Sequence, residues 1–435
     1  MAGKWVADAP VRPPLDWNSP QFWDEGELLA ELERVFDICD GCRRCHNLCN
    51  AFPTLFELID ESTTGQLSGV SRHEFWKVVA NCHLCDQCYS RKCPYVSPHE
   101  WRVDFPRLML RARMVRYRNG GVGWGMRLLA SPETLGRVAA LPLLRPVINA
   151  AMRSGFLRRL AGVHPDAVLP PYQRNTVRRL FRNRVMAQPV PAPSDAAVVL
   201  FASCYGNYQE AGLIADLIAV FEHNGITVVL TEQERCCAMR HLEMGDLAAV
   251  ERSRDMNIPM LADWVEHGWS IVAPVPSCGY LFRQGLPSLF PSDPRVRKVA
   301  GALFDPFEYL AMRHDKGCLK TDFRHPLGVV LYQQPCHLEA QRIGMQSCAI
   351  LSLVPQTHVE PMVRCCGHGG SHAIRAVSHR AALAMATPIV ERIRQIIPEH
   401  YCSDCPMAGR QLESGLADGS RAEHPVTLLR RAYGI

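Results

Sequence analysis

Apolar residues change their rhythm along this chain. Up to about residue 185 they recur at helical spacing between Pro, Gly and Arg, and the stretch from Gln188 to Ser194, with Pro189, Pro191 and Pro193, then reads as a linker. After it a β-branched run from Ala196 to Ala202 precedes a helical face of Leu213, Leu217, Ile218 and Phe221. That face stops at Gly225, before a second run from Ile226 to Leu230. The pattern predicts a βαβ unit. It restarts at Leu327 to Tyr332, and cysteines recur with it. Cys204, the pair Cys236 and Cys237, and Cys278 are matched by Cys336, the pair Cys365 and Cys366, and Cys405, at offsets of 132, 129 and 127 residues. An internal duplication accounts for this. The fold class expected is α/β. Ligands gather at the carboxyl ends of strands in open sheets, so the thiols of each repeat are expected to converge there.

The chain has 435 residues, 47% hydrophobic and 21% charged, which fits several folded domains and excludes disorder and fibrous repeats. The anomaly is its 19 cysteines, 8 between Cys39 and Cys93 and 11 between Cys204 and Cys405. An odd total cannot pair completely, and the first 17 residues hold no apolar run of export-signal length. Reduced, metal-binding cysteine in a cytoplasmic protein is therefore expected. The longest uncharged stretch, Ile343 to Val359, has 17 residues and includes Gln346, Ser347, Pro355 and Gln356, so no membrane span is predicted.

Cys39, Cys42, Cys45 and Cys49 are separated by two, two and three residues; Cys82, Cys85, Cys88 and Cys93 follow with gaps of two, two and four, then Pro94. Three cysteines at such intervals wrap one cubane cluster, while the fourth reaches across to another. This is the pattern of a bacterial two-cluster ferredoxin module. It assigns one [4Fe-4S] cluster to Cys39, Cys42, Cys45 and Cys93, and a second to Cys82, Cys85, Cys88 and Cys49. Asn50 stands where Pro usually follows, and the second run carries one extra residue; both alter loop shape more than ligand number. Zinc sites built from cysteine pairs would leave the third cysteine of each run unused. Cys42, Cys45 and His46 also spell a haem c attachment motif, which would consume two thiols of a complete run. His46 and His83 read as hydrogen-bonding or solvent-facing neighbours.

The second repeat contains Cys336, Cys365, Cys366, Gly367, Cys402 and Cys405, with Gly369 and Gly370 suggesting close backbone approach and His337, His368 and His372 alongside. This order of a lone cysteine, a Cys-Cys-Gly and a spaced cysteine pair resembles the cysteine-rich CCG domain of heterodisulfide reductases and of iron–sulfur subunits in glycolate, lactate and glycerol-3-phosphate oxidising systems. Two cubane motifs ahead of two such domains resemble the layout of the iron–sulfur subunit in the anaerobic glycerol-3-phosphate dehydrogenase family. So do Leu169 to Tyr172, Cys204 to Tyr208, Pro335 to Glu339 and Glu423 to Leu429. The resemblance implies two CCG domains with small parallel sheets and one further [4Fe-4S] cluster, noncubane in the heterodisulfide reductase case. Cys336, Cys365, Cys366, Cys402 and Cys405 would hold it in a complete second domain. In the first domain Cys204, Cys236, Cys237 and Cys278 remain; Val275 takes the place of the leading cysteine of the spaced pair and Ala238 that of the glycine, which leaves cluster loading open. Cys318 and Cys348 read as structural.

The resemblance further implies electron relay from a flavin-containing dehydrogenase subunit toward quinone. The alternative is a thiol–disulfide reductase acting at the C-terminal cluster. No glycine-rich nucleotide fingerprint follows a strand, so the electrons are expected from a separate partner. The net charge of +5 hides an uneven distribution: Arg107 to Arg184 holds 16 Arg, no Lys, and only Glu133 and Asp166 as acids. Leucines and valines interleave with these arginines, which points to an anionic membrane surface or a partner protein, and not to nucleic acid. The expected organisation is a helical ferredoxin-type module over 1–105, a basic helical connector over 106–190, and CCG domains over 191–315 and 316–435. The expected place is the cytoplasm, peripheral on the cytoplasmic face of the inner membrane.

Overall fold

A computed structural model of the chain describes residues 12–141 and 143–435; the stretch read for an export signal begins on residues 1–11, outside the described residues. The described chain opens with a helical module. Asp24 caps the helix Glu25–Cys42 by accepting from the Glu27 N–H at 2.8 Å, and Glu25 and Glu27 suit the positive end of the helix dipole. Leu28, Leu32, Val35 and Phe36 fall on one face of that helix and are buried. They pack with Phe52 and Phe56 of helix Ala51–Asp60, Phe75 and Val78 of helix Phe75–Asn81, and Phe105 and Met109 of helix Phe105–Arg118. Each such side chain contributes about 1.5–3 kcal/mol on burial. This core holds the two cysteine-bearing loops and includes Cys45, Cys49, Cys82 and Cys88. The basic segment begins inside it, since Met109, Ala112 and Val115 are buried while Arg116 and Arg118 are exposed.

Two parallel sheets follow. The first joins β1 (Val185–Met186), β2 (Ala197–Leu200), β3 (Thr227–Thr231), β4 (Ser270–Val272) and β5 (Leu303–Phe304) in the order β1-β3-β2-β4-β5. The second joins β6 (Gly328–Gln333), β7 (Thr357–Met362) and β8 (His400–Cys402) in the order β7-β6-β8. All pairings within the two sheets are parallel, so the chain is α/β with small parallel sheets. The apolar run at β2 is buried along its whole length because both faces of the sheet are covered. The two-residue edge strands β1 and β5 carry too little pattern to be read from sequence.

One core serves both repeats. Leu213, Leu217 and Phe221 of helix Ala211–His223 meet Leu428, Leu429 and Tyr433 of helix Pro425–Tyr433, with Val198 of β2 and Val330 of β6 in the same cluster. Between the helical module and the first sheet lie short helices Trp124–Leu129, Pro132–Ala139, Leu144–Arg153 and Gly155–Leu160. Helix Leu144–Arg153 buries none of its residues, and Trp124, Leu143, Val147 and Phe156 are exposed. Among the described residues no helix is long and apolar enough to cross a membrane.

Candidate metal centres

The helical module gathers its eight thiols into two sets. Cys39 lies in the last turn of helix Glu25–Cys42; burial raises its thiol, and so do Cys93, Cys45 and Cys42 beside it. Cys45 is pushed up to about 11 by burial, then by Cys93 and Cys42. Cys49 belongs elsewhere: burial and then Cys82 raise it. Cys88 feels Cys82, Cys85 and Cys49 after burial. Cys39, Cys42, Cys45 and Cys93 thus lie in one neighbourhood, and Cys49 lies with Cys82, Cys85 and Cys88 in another that also reaches Cys336 and Cys365. Leu84 and Asp86 adopt left-handed backbone conformations that curl the second loop, and the Leu84 N–H reaches Cys82 Sγ at 3.4 Å.

The repeats build their sets at strand ends. Cys204 opens a helix after β2, as Cys336 does after β6. Cys236 Sγ lies 3.6 Å from Cys204 Sγ, and Cys237 Sγ lies 3.0 Å from Cys278 Sγ. Cys336 is raised by burial and then by Cys365, Cys366 and Cys405. The two cysteine pairs turn alike: the N–H of Ala238 meets Cys236 Sγ at 3.5 Å and that of Gly367 meets Cys365 Sγ at 3.3 Å, with φ of 70° and 77°. Gly367 cannot carry a side chain, since a Cβ there would lie 1.9 Å from the Ala382 carbonyl oxygen.

Cys402 stands apart from the thiols with which its spacing groups it. In the sheets Val198 pairs with Ser270 and Val330 with His400, so Val272 at the end of β4 corresponds to Cys402 at the end of β8. Val275 and Cys405 then correspond, each in extended conformation at a helix start and each followed by Pro, at Pro276 and Pro406. On this register Cys278 matches Ala408. Cysteine order alone sets Val275 against Cys402, and the strand register corrects it. Cys402 has no exposure and lies in the shared core, where Asp404, Cys348 and Glu423 are the charged or ionisable groups around it. Each repeat therefore presents four thiols, lacking opposite members of the spaced pair. Asp404, missed in the sequence, pins the loop that presents Cys405: it is buried, accepts from Tyr332 Oη at 2.5 Å and Ser347 Oγ at 2.7 Å, and burial pushes it up to about 6. Of the two leftover cysteines, Cys318 is exposed and Cys348 is partly buried and pushed up to about 12.

The sets adjoin one another. Cys45 bears on Cys88; Cys336 and Cys365 bear on Cys85; Cys278 bears on Cys405. The second cysteine loop of the helical module is held between the repeats. Tyr280 Oη donates to Asp86 at 2.5 Å, and the Tyr280 ring stacks on His337. Arg12 grips Asp86 at 2.5 Å and Asp104 at 2.6 Å, and Gln87 donates to Glu339 at 2.5 Å. His83, His337 and His372, read as surface or neighbouring groups, are buried here while His46 is exposed. His83 Nδ1 lies 3.8 Å from Cys365 Sγ and its buried Nε2 has no partner among the described residues. Burial and then His372 hold its imidazole neutral.

Among the described residues no three His, Cys, Asp or Glu side chains converge tightly enough to grip one metal ion. The thiols stand instead as four sets of four, each within reach of its fellows' fields. Buried thiols that raise one another resist ionisation, while Cys204 and then Cys237 hold Cys236 below its ordinary value; ligation deprotonates such thiols and supplies the missing positive charge. Four neighbouring thiols, buried or partly buried, with N–H groups aimed at sulfur fit a polynuclear iron–sulfur group. A solvent-open cavity of about 470 Å³ reaches Cys336 and Cys365, lined by Arg44, Arg91, Lys92 and Arg364.

A family model described as a cysteine-rich domain matches residues 198–283 and 330–412, so the chain carries two copies of that domain. It is 32% identical over 98 residues to citrate utilization protein B of Escherichia coli, covering 21% of this chain and 22% of that protein. It is 26% identical over 184 residues to an uncharacterized iron-sulfur protein of Methanocaldococcus jannaschii, covering 41% of this chain and 34% of that protein. The chain thus spans about a fifth to a third of the curated relatives it matches.

Proposed function

We propose that this chain is an iron–sulfur electron-transfer subunit, with [4Fe-4S] clusters at the two ferredoxin-type sets and at the set in the second repeat. The single observation that carries the reading is the succession of thiol sets: from Cys39 through Cys45 and Cys88, across Cys85 to Cys336 and Cys365, then from Cys405 to Cys278. When bound, such clusters supply one-electron redox chemistry at potentials set by burial and by hydrogen bonds to sulfur. The chain's own part is to hold the sets in line, to exclude water with the two cores, and to place His83 and backbone N–H groups against sulfur. The iron–sulfur relative and the two cysteine-rich domains support the cofactor class. A flavin-containing dehydrogenase of the glycerol-3-phosphate or 2-hydroxy acid type is the donor we propose, and quinone the acceptor.

Anaerobic reconstitution, iron and sulfide analysis and an EPR redox titration test this. About eight iron atoms from the helical module and about four more from the second repeat are expected. Zinc without sulfide would overturn the reading. A second reading, reduction of a small disulfide at Cys336 and Cys365, is favoured by the open basic cavity there. A dye-reduced chain that never consumes disulfide would dismiss it. The exposed Trp124, Leu143, Val147 and Phe156 among the connector arginines further suit an anionic membrane surface, where each basic residue contributes about 1 kcal/mol. Salt-reversible pelleting with anionic vesicles is expected, and no pelleting at low salt would refute the attachment.

A further inference from the structure

A second charged feature adjoins the second cysteine loop, where the helical module meets both repeats. A cavity of about 150 Å³ is lined by Arg113 and Arg116 of helix Phe105–Arg118, Glu243 and Met244 of helix Met239–Met244, and Ser371 and Arg375 of the second repeat. Arg113 is committed: its guanidinium donates to the carbonyls of Glu243 at 2.8 Å, Val79 at 3.1 Å and Cys82. Arg116 lies over the Trp76 ring and has no carboxylate partner among the described residues. The Arg375 guanidinium has no hydrogen-bonded or ionic partner among them, and burial with the fields of Arg113 and Arg116 holds it below its ordinary value. Arg240, which donates to the Leu129 carbonyl, lines the adjoining hollow with Glu243 and Ser371.

Four arginines thus line two adjoining hollows that share one carboxyl, that of Glu243. Glu243 compensates poorly, since burial pushes it up to about 7 and leaves it partly protonated at neutral pH. Its carboxyl is pressed against Gly370, where a Cβ would lie 1.9 Å from Oε2, so it is wedged in place. Holding like charges together in a partly buried hollow is unfavourable unless an anion joins them, and planar guanidinium forks match the oxygens of phosphate or carboxylate.

We propose that this cavity binds a phosphate-type oxyanion, gripped by Arg116 and Arg375 with Arg113 behind them and the Ser371 hydroxyl at its side. The site is independent of the relay reading. The oxyanion chemistry is shared by free phosphate and by a phospholipid headgroup, and Met126 of the connector, near exposed Trp124 and Leu128, lines the same cavity.

The test uses the full reconstituted chain, titrated with inorganic phosphate at constant ionic strength and followed by calorimetry. Saturable binding is expected in the wild type. Arg375→Gln and Arg116→Gln are expected to weaken it about tenfold or more while iron content and circular dichroism stay unchanged. Glu243→Gln, which removes a charge facing the anion, is expected to tighten it, a result that a purely structural role for these residues does not give. Vesicles containing phosphatidic acid separate the sources. Recruitment that is lost in Arg375→Gln and competed by phosphate assigns a headgroup; phosphate binding without recruitment assigns a free anion. Neither phosphate binding nor Arg375-dependent recruitment in the wild type, or undiminished binding in both arginine variants, would overturn the proposal.

Discussion

Cys402→Ala and Cys405→Ala separate a core thiol from the thiol proposed as a cluster ligand three residues away. Cys402 ends β8 with no exposure, packed in the core shared by the repeats, whereas Cys405 lies beyond Asp404 beside Cys366 and Cys336. Removing Sγ at 402 deletes about one methylene's worth of buried surface, roughly 0.8 kcal/mol, and leaves a small void that adds about 0.5 kcal/mol if the site does not collapse. The expected loss is about 1–1.5 kcal/mol, a fall of roughly 2–6 °C in the melting of the repeat pair, with iron unchanged. Cys402→Ser is expected to cost about 1–3 kcal/mol because its hydroxyl replaces a thiol in an apolar site. Cys405→Ala is expected to lower iron by about four atoms per chain, one cluster's worth. Iron and sulfide analysis beside thermal melting reads both effects. If Cys402→Ala loses as much iron as Cys405→Ala, the strand-register argument is wrong and five thiols serve the second repeat.

Other expectations are independent of that pair. Arg12→Ala leaves Asp86 and Asp104 without their shared cation at the junction with Tyr280, and a urea titration should show a loss of about 3–5 kcal/mol. Ala238→Gly relieves a left-handed backbone at φ 70°, and a gain of about 0.5–1 kcal/mol is expected, against no gain if the turn is not strained. Glu243 binds its proton more tightly folded, at about 7, than unfolded, near 4.5, so its contribution falls as pH rises between those values and stays low above. Glu243→Gln should remove that descent from the stability curve, and a wild-type slope in the variant would contradict it. His424 has the opposite sign: held down to about 3 by burial, it withdraws stability as pH falls below about 6.5, and His424→Gln should flatten the acid limb of the melting curve.

The α/β class and the duplication are legible in the order of residues. They depend on local periodicity and short spacing: β-branched apolar runs between turn residues become buried strands, and cysteines three residues apart share one loop. Which C-terminal thiols converge is a matter of tertiary packing. Cys402 and Cys405 are indistinguishable as letters, but β8 ends at Cys402 and turns its side chain into the core, while the following loop, pinned by Asp404, delivers Cys405. Packing also chose the neighbours. His83 reached Cys365, Tyr280 reached Asp86, and Arg113 and Arg375 met across one cavity because separate modules pressed together. No local pattern records such encounters, since they arise where the apolar faces of distant elements close and strand the polar side chains between them.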